Sequence, residues 1–261
     1  MTRPTRFLSL LILLNVGSAL GVCGCSTWAS GPSERPGLGT AWGETRESDV
    51  HWVSFERDDA ARPIAVSILH YDDHEGVHAL AGGSPSFARE RSDQGSGEGS
   101  GDGAGGLRVR LLDDRGWPLP TFWGGGRRLV EGRRGERYSI EIDNWSGARI
   151  EAVASVDGLD VMDGERGSFD KRGYVLRPGE TYRIDGFRRS QSAVAAFRFG
   201  SVEESYTAET GDDANVGVIG VAFFAERGAP PFWRQDEASR RSTADPFPDR
   251  FAQPPLYPES P

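Results

Sequence analysis

Residues 137–156, RYSIEIDNWSGARIEAVASV, hold two runs of alternating polar and apolar side chains on either side of the turn sequence NWSG. Alternation with a period of two places the apolar side chains on one face of a β-strand, so each run predicts a strand with one buried face. Similar short runs recur at 107–112, 173–176, 181–187 and 193–199. Together they predict an all-β fold, a single β-sandwich of the immunoglobulin-like or jelly-roll-like type, over residues 107–227.

Two other segments of this region have a different pattern. Residues 216–224, VGVIGVAFF, are apolar at nearly every position. Such a run predicts a central strand that is covered on both faces. Residues 203–210 are compatible with one short helix, and no stretch of the region shows a long helical period.

The segments that flank this region differ from it in composition. Residues 25–48 are rich in Gly, Ser and Pro, and they predict a tether. Residues 49–81 predict a β-hairpin that needs a further partner for stability, because apolar side chains alternate on both sides of the turn ERDDAARP. Residues 82–106 end in SDQGSGEGSGDGAGG and predict a flexible linker. Residues 228–261 are rich in proline and predict a disordered, extended tail.

The N-terminal leader determines where we expect the protein to reside. Arg3 and Arg6 precede a short apolar run, 7–20, which has the length of a secretory signal rather than of a lasting membrane span. The run ends in VCGC at 22–25, which resembles a bacterial lipobox, where a small residue precedes a cysteine that is diacylated and becomes the first mature residue. The resemblance implies a signal peptide at 1–24 and lipidation of Cys25. An ordinary cleaved signal peptide and an uncleaved membrane helix are the alternatives.

The leader also bears on the membrane and on the cysteines. Two acyl chains hold a protein stably on a bilayer. Ser26, rather than Asp, follows Cys25, which by analogy with enteric sorting favours the outer membrane with the domain facing the periplasm; the inner membrane and the cell surface stay as alternatives. Both cysteines lie in the leader region, so the mature domain is predicted to fold without a disulfide.

The charge of the chain excludes one class of partner. The whole chain carries a net charge of −9, and cleavage before Cys25 would leave 28 basic residues against 39 acidic ones, a net charge of −11. Phosphate binding needs clustered positive charge, so nucleic acid is not an expected partner. Anionic lipid is an equally poor match.

The main region also resembles a group of bacterial envelope proteins. The resemblance rests on the runs GRRGERYSIEI, SVDGLDV, GYVLRPGETYRIDGFRRS, VAAFRF, SYTAETG and NVGVIGVAFF, which lie within residues 132–224, and it covers roughly residues 107–224. These runs resemble a domain of uncharacterised proteobacterial envelope proteins. The resemblance implies one β-rich domain and no assigned activity, so it implies no catalytic residue.

Two clusters of polar residues are candidates for metal binding. His70, His74 and His78 are spaced by four residues, which on a helix would place them on one face, and acidic residues lie between them. Imidazole with carboxylate suits zinc, but Gly76 and the strand pattern upstream favour a polar turn instead of a helix. The second cluster holds Asp157, Asp160, Asp163 and Glu165, whose oxygens would suit calcium. Asp-Gly pairs are first of all turn formers, so we expect no metal and no cofactor at either cluster.

Two more groups of residues are candidates for binding. Arg188 and Arg189 follow a predicted strand and could clamp an anion, although a solvated loop is the simpler interpretation. Four aromatic residues in or beside turns could form an exposed contact patch or close the ends of the sandwich: Trp117, Phe122, Trp123 and Trp145. No Gly-x-Ser-x-Gly sequence is present, and no free cysteine would remain in the mature chain.

These observations favour a non-enzymatic function. The leading hypothesis is a lipid-anchored envelope protein that presents a β-sandwich as a binding or structural module to an unidentified protein or glycan. The alternative is an envelope metal-dependent hydrolase or metal-binding protein that uses the segment His70–His78 or Asp157–Glu165. A third hypothesis is an assembly module whose proline-rich tail binds a partner.

The lipobox interpretation predicts that the two cysteines behave differently. A Cys25→Ser variant should lose incorporation of a palmitate label and move from the membrane pellet to the supernatant, because it lacks the acyl chains that hold the native protein on the bilayer. A Cys23→Ser variant is the matched control and should stay labelled in the pellet. Equal labelling of the Cys25→Ser variant and the native protein would contradict the assignment.

Overall fold

The computed structural model describes residues 35–82, 106–209 and 213–229, together with positions 88, 89, 241 and 243. The leader, Cys25, the larger part of 82–106 and nearly all of the tail 228–261 lie outside the described residues, so the predictions made for them stay predictions. Among the described residues, no helix reaches the length and hydrophobicity that a bilayer crossing requires.

The described residues form strands with two short helices between them. In chain order the elements are β1 (Leu38–Glu47), β2 (Ala65–Asp72), α1 (His74–Leu80), β3 (Ala88–Arg89), β4 (Leu107–Asp113), β5 (Thr121–Gly124), β6 (Arg127–Glu131), β7 (Arg137–Asn144), β8 (Ile150–Val156), β9 (Leu159–Asp160), β10 (Tyr174–Leu176), β11 (Glu180–Ile184), β12 (Gly186–Arg188), β13 (Ala193–Ser201), α2 (Tyr206–Glu209) and β14 (Val218–Ala225).

Two sheets pack face to face and confirm the predicted all-β sandwich. In the first sheet, β7 pairs with β4 and β11, and β13 pairs with β1, β12 and the start of β7. In the second sheet the strand order is β10-β8-β14-β2-β6-β5-β3, with β9 added beside β8. Every pair is antiparallel except β2 with β6.

The buried core lies between the two sheets, as the alternating pattern predicts. Ile140 and Ile142 of β7 are fully buried, and so are the alternate side chains Ile150, Ala152 and Ala154 of β8. On β14 the inward side chains Ile219, Val221 and Phe223 are buried in the same core. The prediction that this strand is central is confirmed, but its outer face is covered only at one end.

The predicted tether 25–48 extends too far toward the C-terminus, because its residues 38–47 form the strand β1. This strand pairs with β13 from Leu38↔Ser201 to Glu47↔Ala193, with a register shift between Trp42 and Thr45. Seven of its ten residues are exposed or half-buried, since β1 lies at the edge of the sheet. The sequence LGTAWGETRE therefore lacks the apolar alternation that reveals other strands.

The predicted hairpin within 49–81 is also wrong. β2 lies in the middle of the second sheet, where it pairs with β14 on one side and with β6 on the other. The chain around Val50 forms no strand; its amide donates instead to the carbonyl of Gln191 at 2.9 Å. The domain boundary at 107 is consequently wrong as well, because both sheets contain strands from before that position. Ala88–Arg89, inside the predicted linker, pairs with β5.

A helix forms where the sequence favoured a turn. The Asp73 side chain accepts a hydrogen bond from the Gly76 amide at 2.9 Å and so caps the N-terminus of α1. Val77 of this helix packs with Ala81 and with Leu129 of β6, on the outer side of the second sheet. The capping and this tertiary contact outweigh the low helix propensity of Gly76. The short helix predicted within 203–210 is confirmed as α2.

The strand order predicts that residues 107–261 do not fold alone. A chain that starts at Leu107 lacks β2, so β14 and β6 lose their shared neighbour and the buried side chains Leu69 and Tyr71 are missing from the core. We expect it to show a disordered far-ultraviolet circular dichroism spectrum, whereas a chain that starts at Glu34 folds. A cooperative thermal transition of the shorter chain would contradict this prediction.

Candidate functional site: the outer face of the second sheet

The three histidines considered as candidate zinc ligands do not converge on one point. His70 points outward from β2, and His74 and His78 lie on α1 with ring centroids 4.5 Å apart. The Nδ1 atom of His74 lies 3.4 Å from the Glu131 carboxylate. Within the described part of the chain, no group of three His, Cys, Asp or Glu side chains has the arrangement of a metal site.

The four acidic residues considered as candidate calcium ligands have separate structural roles. Asp157 and Gly158 form the two-residue turn between β8 and β9, with φ values of 53° and 81°. This turn is the Asp-Gly hairpin turn that the sequence indicates. Asp163 and Glu165 bind the Lys171 ammonium at 2.7 Å and 2.8 Å.

Asp157 belongs to a buried hydrogen-bonded cluster. Its carboxylate accepts from the Tyr71 hydroxyl at 2.6 Å, from the Thr40 amide at 2.8 Å and from the Gly217 amide at 2.9 Å. The Thr40 hydroxyl lies 2.7 Å from the hydroxyl of Tyr71 and 2.6 Å from that of Tyr138. Burial raises the pKa of Asp157 and holds those of Tyr71 and Tyr138 well above the usual range. This cluster has no opening to solvent, so it is structural.

The arginine pair considered as a candidate anion clamp binds the protein itself. Arg188 donates to the carbonyl oxygen of Ser48 at 2.8 Å, to its hydroxyl at 3.0 Å and to the carbonyl oxygen of Ser190 at 3.1 Å. Arg189 donates to the Thr45 hydroxyl at 2.5 Å. These contacts fasten the end of β1 and leave neither arginine arranged as an open clamp.

The predicted aromatic patch is divided between distant places. Trp117 and Trp145 are both exposed, but they lie beside opposite ends of β7. Asp113, whose amide binds the Trp117 carbonyl, pairs with Tyr138, whereas Trp145 follows Asn144. Six residues of strand separate these points by about 20 Å. Phe122 packs instead with the Val77 cluster beneath α1.

The outer face of the first sheet is covered by ion pairs. Arg108 binds Asp143 at 2.7 Å, and Glu141 binds both Arg110 and Arg183. Farther along the sheet, Glu44 binds a second pair of arginines, Arg137 at 2.8 Å and Arg198 at 2.6 Å. These two arginines lower the pKa of Glu44 to about 2. A face this densely charged is a solvent-facing surface.

The outer face of the second sheet is apolar and partly bare. The pairing of β8, β14 and β2 places Val153, Ala222 and Val66 in one row across it, and Ser155, Gly220 and Ile68 in the next. Val66 is 40% exposed and Ile68 is 50% exposed. The uncovered strip formed by Val66, Ile68 and Gly220, with the buried Ala222 at its base, is called the outer groove below.

A loop of residues 163–173 forms one wall of the outer groove. Phe169 packs edge-on against Phe224 with centroids 6.2 Å apart. The guanidinium of Arg57 lies 3.8 Å above the Phe224 ring and binds Glu151 at 2.7 Å, and it also donates to the Phe169 and Lys171 carbonyls. This buried arginine therefore fixes the loop on the sheet.

A small pocket opens where the loop meets the sheet. It encloses about 130 Å³. Its floor is formed by the strand residues of the groove, and its wall by Gly167, Ser168 and Phe169. Asp160, which pairs with Ser155 across β8 and β9, lines its polar end. Gly220 keeps the floor low, because a Cβ atom there would lie 3.2 Å from the Ser155 hydroxyl.

Asp160 is the chemically unusual residue of the pocket. Its Oδ1 accepts from the Met162 and Asp163 amides, whereas its buried Oδ2 has no hydrogen-bond partner. Burial, with a smaller contribution from the nearby Asp163 charge, raises the pKa of Asp160 to about 6. In the sequence, Asp160 stood out only as one of four acidic residues in a turn, and nothing there indicated the pocket. The only sequence pattern that pointed to this region was the alternation of apolar side chains at Val66 and Ile68, and that pattern indicated a strand without indicating a groove.

No protein-family model matches the chain, and neither a curated protein nor a solved structure is significantly similar to it.

Asp160 predicts a pH-dependent stability. Because its folded pKa is raised to about 6, the folded state holds the proton more tightly than the unfolded state, so the stability that Asp160 contributes is lost as the pH rises from about 4 to 6. The free energy of unfolding of the native protein, relative to Asp160→Asn, should fall by roughly 2–3 kcal/mol from pH 4 to pH 7. Urea titrations measure it. The exposed Asp170→Asn control should show no such trend, and a flat difference for Asp160→Asn would contradict the assignment.

Proposed function

We propose that the chain is an exported lipoprotein, anchored through Cys25, whose β-sandwich binds an envelope protein through the outer groove without catalysing a reaction. The observation that supports this proposal is the contrast between the two outer faces. Ion pairs cover the first sheet, whereas the second sheet leaves Val66 and Ile68 in contact with solvent. A contiguous strip of uncovered apolar side chains is typical of a contact surface.

The strand order limits how a partner binds. β2 and β14 are both paired on both edges, so they offer no free backbone groups for strand addition. A partner must therefore insert side chains into the strip, and apolar side chains match Val66, Ile68 and Ala222. This argument favours a protein segment over a glycan, which needs more polar groups than the strip offers.

The position of β1 sets the reach of the anchor. Twelve residues, 26–37, separate Cys25 from the first strand, and a chain of that length at full extension would span at most about 40 Å. The proposed location is the outer membrane with the domain facing the periplasm. The partner is then an envelope protein that lies close to the membrane surface.

The alternative, a metal-dependent hydrolase, has less support. It requires several ligands and an acid or base around one opening. In the described segments, no group of three His, Cys, Asp or Glu side chains has the arrangement of a metal site, and the acidic turn binds Lys171. We therefore do not assign a metal, a cofactor or a catalytic residue.

Site-specific photo-cross-linking in intact cells tests the proposal. A photoreactive amino acid at Ile68 should give one defined adduct with an envelope protein, because Ile68 lies in the outer groove. The same amino acid at Arg110, on the charged face of the first sheet, is the matched control and should give none. Gly220→Val should reduce the Ile68 adduct at least fivefold, since its side chain fills the floor of the groove.

Two outcomes would contradict the proposal. Equal adducts from Ile68 and Arg110 would show that neither face is specific. An Ile68 adduct that survives Gly220→Val unchanged would show that the groove does not form the contact. Loss of the adduct in the Cys25→Ser variant would further support the role of the anchor in bringing the domain to its partner.

A further inference from the structure

We infer that the pocket beside Asp160 binds the ammonium group of an organic amine whose apolar body is about the size of a benzene ring. This inference deepens the proposed function, since the pocket lies at one end of the outer groove. It names the chemistry of the group that a partner or a small molecule would insert there.

The polar end of the pocket requires a hydrogen-bond donor. Asp160 is completely buried, and its Oδ2 accepts no hydrogen bond within the protein. A buried polar atom without a partner destabilises the protein, and a hydrogen-bond donor that enters the pocket would remove this destabilisation. An ammonium group both donates a hydrogen bond and carries the charge that a carboxylate prefers. The Ser155 and Ser168 side chains line the same pocket and offer two hydroxyl groups as further acceptors.

The apolar part of the pocket sets the size of the ligand. Its volume of about 130 Å³ approaches that of engineered cavities that bind benzene, about 150 Å³. Val66, Val153 and Ala222 form its floor, and Phe169 stands beside it. The ring of an aromatic amine therefore fits against these side chains while its ammonium group points to Asp160.

The surrounding charges favour a cation. Four cationic residues lie on or beside the loop. Arg57 is paired with Glu151, Lys171 is paired with Asp163 and Glu165, Arg172 lies over the Trp52 ring, and Arg166 is exposed to solvent. Among the described residues none of these cations forms an ion pair with Asp160, and the Lys171 charge acts on it only at longer range. Asp163 is its nearest acidic neighbour and raises its pKa. The net charge of −9 also attracts cations to the protein as a whole.

The principal competing explanation is that Asp160 and Asp163 share a proton. Such a carboxyl pair would satisfy Oδ2 without any ligand. The pKa of Asp163 is lowered while that of Asp160 is raised, so the shared proton would reside on Asp160. An amine would then find no carboxylate to bind, and replacing Asp160 by Asn would not change its affinity.

Titration of the purified full-length protein with benzylammonium distinguishes these explanations. At pH 8 we expect benzylammonium to shift the backbone amide signals of Gly167 and Gly220 in nuclear magnetic resonance spectra. Asp160→Asn should raise its Kd at least tenfold; Asn keeps the Oδ1 acceptor for the turn, so the fold is retained. Asp170→Asn, an exposed acidic residue on the same loop, is the control and should change the Kd less than twofold.

Two further measurements keep the inference testable if Asp160→Asn fails to fold. Gly220→Val should abolish the shifts by filling the floor. With the native protein, the affinity for benzylammonium should fall about tenfold from pH 8 to pH 5 as Asp160 takes up a proton.

Three results would overturn the inference. These are neutral benzyl alcohol binding as tightly as benzylammonium, an unchanged Kd in Asp160→Asn, and the absence of shifts at Gly167 and Gly220. If cross-links from Ile68 persist in that case, the outer groove remains a contact surface and only the amine pocket is rejected. If the amine binds but the cross-links are absent, the pocket remains and the proposed protein contact is rejected.

Discussion

The Asp157 carboxylate joins the two sheets, and the arrangement of the other elements depends on it. It accepts hydrogen bonds from Thr40 of β1, Tyr71 of β2 and Gly217 before β14, so three segments that are distant in sequence meet at one buried charge. The Tyr71 hydroxyl donates its hydrogen bond to Asp157, so its oxygen accepts from the Thr40 hydroxyl. The Thr40 oxygen in turn accepts from the Tyr138 hydroxyl. A buried carboxylate is costly unless donors surround it, so the cluster specifies one arrangement of the strands. The left-handed backbone of Asp157, which turns β8 into β9, aims the carboxylate into the cluster.

Fixing β2 in the middle of the second sheet has a consequence for the surface. The outward side chains of β2 and β14 then lie side by side, and the cover over them is incomplete. Helix α1 covers the neighbouring β6, and the loop of residues 163–173 covers β8, where Arg57 fastens it. The outer groove is the strip that neither of these elements reaches. The outer face of the first sheet differs, because it carries arginine and carboxylate side chains that pair across the strands and face solvent.

The residues with conspicuous sequence patterns turn out to maintain the fold, whereas the pocket is built from inconspicuous ones. The Arg188 and Arg189 donors hold the end of β1, and the Asp163 and Glu165 carboxylates hold Lys171. The pocket instead uses Ser155, Gly220 and Asp160, which meet only because β8 pairs with β14 and with β9. A glycine in a central strand and a serine beside it are common in β-proteins. Here they form a pocket because Gly220, the neighbour of Ser155, has no side chain to fill the space above the sheet.

The sequence by itself determined the β-sandwich class, because alternation in 137–156 depends on local geometry and the buried face of each strand repeats every second residue. It also determined the Asp157-Gly158 turn and the short helix α2, which depend on a few adjacent residues. Only the tertiary structure decided that residues 38–47 and 65–72 belong to the sandwich, since an edge strand needs little hydrophobicity and strand pairing joins residues more than a hundred positions apart. The tertiary structure also decided the outer groove. Val66 and Ile68 are exposed because no other element of the fold covers them, and a local sequence pattern does not show which elements pack over a strand.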